Sequence, residues 1–148
     1  MVNVAAIAGL SGAGKTTLIV ELIRRFVAQG KRVGAIKHTH HELNEEHRGD
    51  TARFFEAGAE PVILAGEGEA VIFHRPGTDP SGNQGTRRAR YGSTRELLAH
   101  LDTGVVPDVV LVEGFKDSDA WPLVTIDAHD RPTVDDVMTR LDVMWRSK

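Results

Sequence analysis

Gly9-Leu10-Ser11-Gly12-Ala13-Gly14-Lys15-Thr16 stands between an apolar run, Val2 to Ala8, and a stretch in which Thr17, Leu18, Leu22, Ile23 and Phe26 recur at helical spacing. A GxxxxGK-Thr octet set between a buried strand and a helix reads as a phosphate-binding loop. Its glycines let the backbone curl so that successive N–H groups point inward. Lys15 then reaches the β- and γ-phosphates, and the Thr16 hydroxyl is placed to ligate Mg2+. Gly12, Ala13, Gly14, Lys15, Thr16 and Thr17 are the expected phosphate-side residues. The bland alternative, a glycine-rich turn without a ligand, is opposed by the strand before the octet and the helix after it.

Beyond the octet, Gly30 is expected to stop the first helix after Gln29, and Arg32 to Ile36 to form a second buried strand. Lys37-His38-Thr39-His40-His41 follows, at a strand end where ligand-facing residues belong in an open α/β sheet. Asp50 reads as the N-cap of a helix carrying Phe54, Phe55 and Ala57 and stopping at Gly58. Val62–Ala65 and Ala70–Phe73, separated by Gly66-Glu67-Gly68-Glu69, read as a strand pair with a tight turn. Residues 74–93 carry two prolines, several glycines and the cluster Arg87, Arg88 and Arg90, and read as a long flexible loop or lid. A short helix over Thr94–Leu101, a strand ending Val112-Glu113-Gly114, a last strand over Pro122–Ile126 and a helix capped by Thr133 complete the pattern. The fold class is α/β, a three-layer P-loop NTPase sandwich with a mostly parallel sheet flanked by helices.

Length and composition agree. The 148 residues, 41% of them hydrophobic, suit one domain over 1–148, and no internal repeat divides it. A formal charge of -3 gives no general argument for nucleic acid or membrane binding. Without cysteine there are no disulfides, iron–sulfur clusters or thiolate zinc sites, and a cytoplasmic location is expected. The apolar amino-terminal run lacks a basic flank and is interrupted by glycines and Lys15, so neither a signal peptide nor a membrane span is expected.

A phosphate loop needs an acid on a neighbouring strand, because Mg2+ on phosphate takes further oxygen ligands, often through water. Glu113, ending a buried strand, is the leading candidate for that metal-side and catalytic role, against the alternative of a solvent-facing acid. Asp50 is the second acid, able to act near the γ-phosphate or merely to cap its helix. Lys37 can extend over the loop as a second positive point charge or be an ordinary surface lysine; Lys116 raises the same question. His38 and His40 are candidates for polar ligand contacts. With His41 they could bind zinc or nickel if the chain bends, since in a strand His41 faces away from the other two. The arginines could close as a lid over transferring phosphates or lie in a solvated loop.

With the octet, Lys37-His38-Thr39-His40-His41, Asp50-Thr51 followed by Ala57-Gly58-Ala59, and Val112-Glu113-Gly114-Phe115-Lys116 all in order, the chain resembles the molybdopterin-guanine dinucleotide biosynthesis protein B family. The resemblance covers residues 1 to 66 and 105 to 126 and implies a dimeric, GTP-binding protein with slow Mg2+-dependent hydrolysis. It would assist the guanylyltransferase that attaches GMP to molybdopterin, with the guanylyltransferase and molybdopterin or its dinucleotide as partners. By matching position, Gly12 to Thr17 would hold phosphates and Mg2+, and Lys37 to His41 with Glu113 to Lys116 would line the site. No Asn-Lys-x-Asp guanine motif is present; Thr125-Ile126-Asp127 is a weak substitute. Two other readings stand beside this one: a small-molecule kinase with an arginine-rich lid, and a metallochaperone GTPase using the histidines.

Overall fold

The computed structural model describes residues 2–8, 14–40, 43, 49–75, 85–101, 106–114, 124–127 and 131–147. In chain order the elements are β1 (Asn3–Ala8), α1 (Lys15–Ala28), β2 (Val33–His38), α2 (Gly49–Ala57), β3 (Val62–Ala65), β4 (Glu69–Phe73), β5 (Thr86–Arg90), α3 (Thr94–Ala99), β6 (Val109–Glu113), β7 (Val124–Asp127) and α4 (Val134–Arg146). The strands form one seven-stranded sheet in the order β5-β4-β3-β2-β6-β1-β7. From β3 to β7 every neighbour is parallel, while β4 and β5 add an antiparallel margin.

The strand order decides where a ligand can sit. From β1 the chain crosses to β2, leaving a gap that β6 later fills, and then returns past β1 to β7. The connection leaving β1 and the one leaving its neighbour β6 run in opposite directions, which opens a crevice at the carboxyl edge, the place where open α/β sheets bind ligands.

Burial on both faces explains the sequence of β6, Val109-Val110-Leu111-Val112-Glu113, in which every residue is buried. One face packs against α1, α2 and α4 through Leu22, Ile23, Phe26, Phe54, Val137 and Leu141. The other face packs Ile36, Ile63, Ile72 and Val112 against α3 through Leu97 and the adjoining Leu101. Trp145 near the end of α4 is fastened to the first layer, its ring 5.8 Å from that of Phe26. Among the described residues no helix is long and apolar enough to cross a membrane.

Helix ends follow the expected punctuation. After α1, Lys31 N–H donates to Phe26 O and Gly30 N–H to Val27 O, both near 3 Å, the paired back-bonds of a glycine-terminated helix. Ser93 and Thr133 cap α3 and α4, each accepting from the N–H three residues on. Asp50 departs from expectation: it lies inside the first turn of α2, which begins at Gly49, so its carboxylate is free for another task.

The larger correction concerns residues 74–93. Arg75 is held at the end of β4 by Glu60 at 3.1 Å and Phe55 O at 2.9 Å, with its guanidinium 4.2 Å above the Phe55 ring. Residues 86–90 form β5 instead of a lid, in antiparallel register with β4. Residues 76–84 lie outside the described residues.

Candidate functional site at the carboxyl edge

Gly14, the last glycine of the phosphate-loop octet, is in a left-handed conformation, φ +85°, and caps α1 without any side-chain hydrogen bond. A left-handed turn favours glycine, and a helix start without a side-chain cap offers its first-turn N–H groups to an anion. Lys15, Thr16 and Thr17 follow in the first turn of α1 and, with Gly14, form one wall of a cleft of about 380 Å³. Lys37, Asp50, Arg53 and Glu113 form the opposite wall. Gly12 and Ala13 lie outside the described residues, as do His41 and Lys116.

A hydrogen-bonded chain crosses this cleft. Thr16 Oγ1 donates to Glu113 Oε1 at 2.9 Å, and Lys37 Nζ donates to Glu113 Oε2 at 2.8 Å and to Asp50 Oδ2 at 2.6 Å. Register brings the first two strands together, for Lys37 of β2 and Glu113 of β6 are directly paired. The Glu113 side chain is only 4% exposed, so a solvent-facing acid is ruled out at this position. The Lys37 ammonium is shared between two carboxylates and is not that of an ordinary surface lysine.

Ionisation follows from the same contacts. Burial works against the Lys37 ammonium, but the hydrogen bonds and charges of Asp50 and Glu113 outweigh it and hold its pKa above the ordinary 10.5. For Asp50, burial pushes upward and is overcome by the Lys37 hydrogen bond and charge, with help from Thr16 and Arg53, so its carboxyl lies below the usual 3.8. Lys37 and Asp50 are therefore both charged at neutral pH.

Gly114 closes the site from behind, with φ +99° and a position where a Cβ would come within 2.7 Å of His38 Cβ. Only glycine fits this close approach of β6 to β2. His38 points to the other sheet face from Lys37. Its ring meets that of His40 edge-on at 4.8 Å, and burial followed by the nearby His40 lowers its pKa below 6.5. His40 lines a neighbouring hollow with Thr39, Glu67, Glu69 and Arg88, apart from the phosphate-side cleft. Among the described residues no group of three or more His, Asp or Glu side chains is set to hold a metal by itself.

Arg53 was not anticipated. It stands one helical turn beyond Asp50 on α2, and that i, i+3 spacing is the signal that could have found it.

The arrangement is one of hard oxygen ligands beside a helix start. Thr16, Glu113 and Asp50 supply a hydroxyl and two carboxylates, a donor set suited to Mg2+, which takes one or two carboxylates and completes its shell with phosphate oxygens and water.

Comparison with known proteins identifies the family of the chain. The family model described as molybdopterin guanine dinucleotide synthesis protein B matches residues 4–139. The chain is 32% identical to the molybdopterin-guanine dinucleotide biosynthesis adapter protein of Escherichia coli (strain K12), over 97% of this chain and 83% of that one. It is 38% identical to the protein of the same name from Haemophilus influenzae, over 74% of this chain but only 55% of the relative's length. Among solved structures it is similar to a MobB protein homolog from Bacillus stearothermophilus, with 24% identity, TM-score 0.44, and coverage of 93% of this chain and 69% of that one.

Proposed function

The chain belongs to the molybdopterin guanine dinucleotide synthesis protein B family, adapter proteins of molybdenum cofactor biosynthesis, and from that premise we propose that it is a GTP-binding accessory with slow, Mg2+-dependent hydrolysis. In this reading it serves the guanylyltransferase that joins GMP to molybdopterin, acting in the cytoplasm as a homodimer.

The observation that carries the nucleotide part is the chain Thr16–Glu113–Lys37–Asp50 opening onto Lys15 and the start of α1. Lys15 and the α1 N–H groups would hold the phosphates, with Lys15 offsetting charge that develops on the β–γ bridging oxygen. Thr16 would ligate Mg2+ directly, and Glu113 and Asp50 would orient its water shell. When bound, the ion neutralises phosphate charge and fixes the phosphate oxygens in place.

Slow turnover is supported by the state of the acids. Both are ion-paired to Lys37, and Glu113 also accepts from Thr16, so neither is poised to take a proton from attacking water. Phosphate release on the order of 10⁻³ s⁻¹ or slower is expected, the scale of P-loop switches without a supplied arginine.

Calorimetric titration with GTP and with ATP, each with Mg2+, tests the base. A clear GTP preference is expected; equal affinity or a preference for ATP would overturn the guanine assignment.

A further inference from the structure

The two carboxylates beside the phosphate loop already have a cation between them. Lys37 Nζ lies within 2.8 Å of an oxygen on each, and the second Glu113 oxygen is taken by Thr16. Neither end of this bridge is a loosely placed surface chain. The β2–β6 register fixes Lys37 opposite Glu113, the glutamate is enclosed, and Asp50 is carried on the first turn of a helix.

We infer that Lys37 is a tethered counter-ion that keeps a divalent metal off the Asp50–Glu113 pair until a nucleotide is bound. The inference rests on the reading of this cleft as a Mg2+–nucleotide site. Without ligand, the three charged groups leave one net negative charge, and Lys15 and Arg53 on the cleft walls offset even that. A divalent ion approaching the carboxylates therefore meets an ammonium at contact distance and gains little for giving up its water. A triphosphate reverses the balance, because its charges turn the cleft strongly negative while Lys37 remains in place. Metal and nucleotide should then raise each other's affinity by the same factor, as linkage requires. Without Lys37, the bare carboxylate pair would hold a divalent ion on its own.

Mn2+ added to the nucleotide-free protein, with the free ion followed by its paramagnetic resonance signal, reads this directly. The wild-type chain is expected to take up Mn2+ weakly, and Lys37→Met to bind it about tenfold more tightly or better. Adding Asp50→Asn to Lys37→Met should abolish the gain. Lys37→Gln, which can still hydrogen-bond to both carboxylates, serves if the methionine variant does not fold. A folded, charge-neutral variant that binds Mn2+ no better than wild type overturns the inference, as does tight Mn2+ uptake by the nucleotide-free wild type. Wild-type binding of Mg2+–GTP, measured alongside, separates the two claims. If GTP binds but the variant gains nothing, only this inference falls; if no nucleotide binds, the reading of the cleft falls with it.

Discussion

The carboxyl end of the parallel strands and the antiparallel margin both concentrate charged side chains, yet they treat them differently. At the parallel end Lys37 and Glu113 are paired across strands far apart in sequence, and the acid is enclosed. At the margin Arg88 meets Glu69 at 3.1 Å with both side chains more than 40% exposed, and Arg87 reaches His100 at the far end of α3. Enclosed charge is costly unless every partner is supplied, whereas exposed pairs form and break in water at little cost. The first arrangement is a built site; the second decorates an edge strand, where positive charge also discourages pairing with another chain.

That contrast predicts a gradient of effects. Glu113→Ala should be the most damaging to stability, by about 2–3 kcal/mol in urea unfolding, because it strips Lys37 and Thr16 of an enclosed partner. A loss below about 1 kcal/mol would mean the enclosed end is no different from the margin. Gly114→Ala should follow at about 2 kcal/mol, since it forces a side chain into a left-handed residue and against His38. If it melts like wild type, β6 and β2 are not held at the distance described.

The pH dependence sharpens the same comparison. The lowered Asp50 pKa gives stability that is complete above 3.8 and lost as pH falls through the folded value. The raised Lys37 pKa gives stability that is complete below 10.5 and lost as pH rises through its folded value. Unfolding measured from acid to alkaline pH should therefore show both limbs, and the double variant Lys37→Met/Asp50→Asn should flatten them. Limbs of equal size in the double variant would move their origin elsewhere. Arg88→Ala should be the smallest change, within about 0.5 kcal/mol and insensitive to nucleotide. A loss of more than about 1 kcal/mol would show that the margin is more than a decorated edge.

Much of the parallel half is legible in the sequence because buried parallel strands are continuous apolar runs. Val62–Ala65 coincides with β3, and the ends of β1, β2 and β6 lie within two residues of the expected ones. Glu113 can be named from its place at a strand end. Its partner cannot, because the strand order that sets β6 beside β2 is a property of the whole chain, and Lys37 and Glu113 are 76 residues apart. Asp50 reads as a cap since an Asp before a helical pattern usually is one; the start of α2 at Gly49 places it inside the first turn, where it meets Lys37. Strand β5 is illegible for a different reason. Thr86-Arg87-Arg88-Ala89-Arg90 has one apolar residue to bury, Ala89, and is held by its backbone ladder to β4, which leaves no mark on hydrophobic pattern.

Whether the enclosed end is a triphosphate site is decided by the Mg2+–GTP affinity of wild type and Lys15→Ala under identical conditions. Lys15 lines the cleft without entering the Thr16–Glu113–Lys37–Asp50 chain, so the variant should unfold like wild type while losing about a hundredfold or more in affinity. A folded Lys15→Ala protein that binds GTP as tightly as wild type would contradict the assignment.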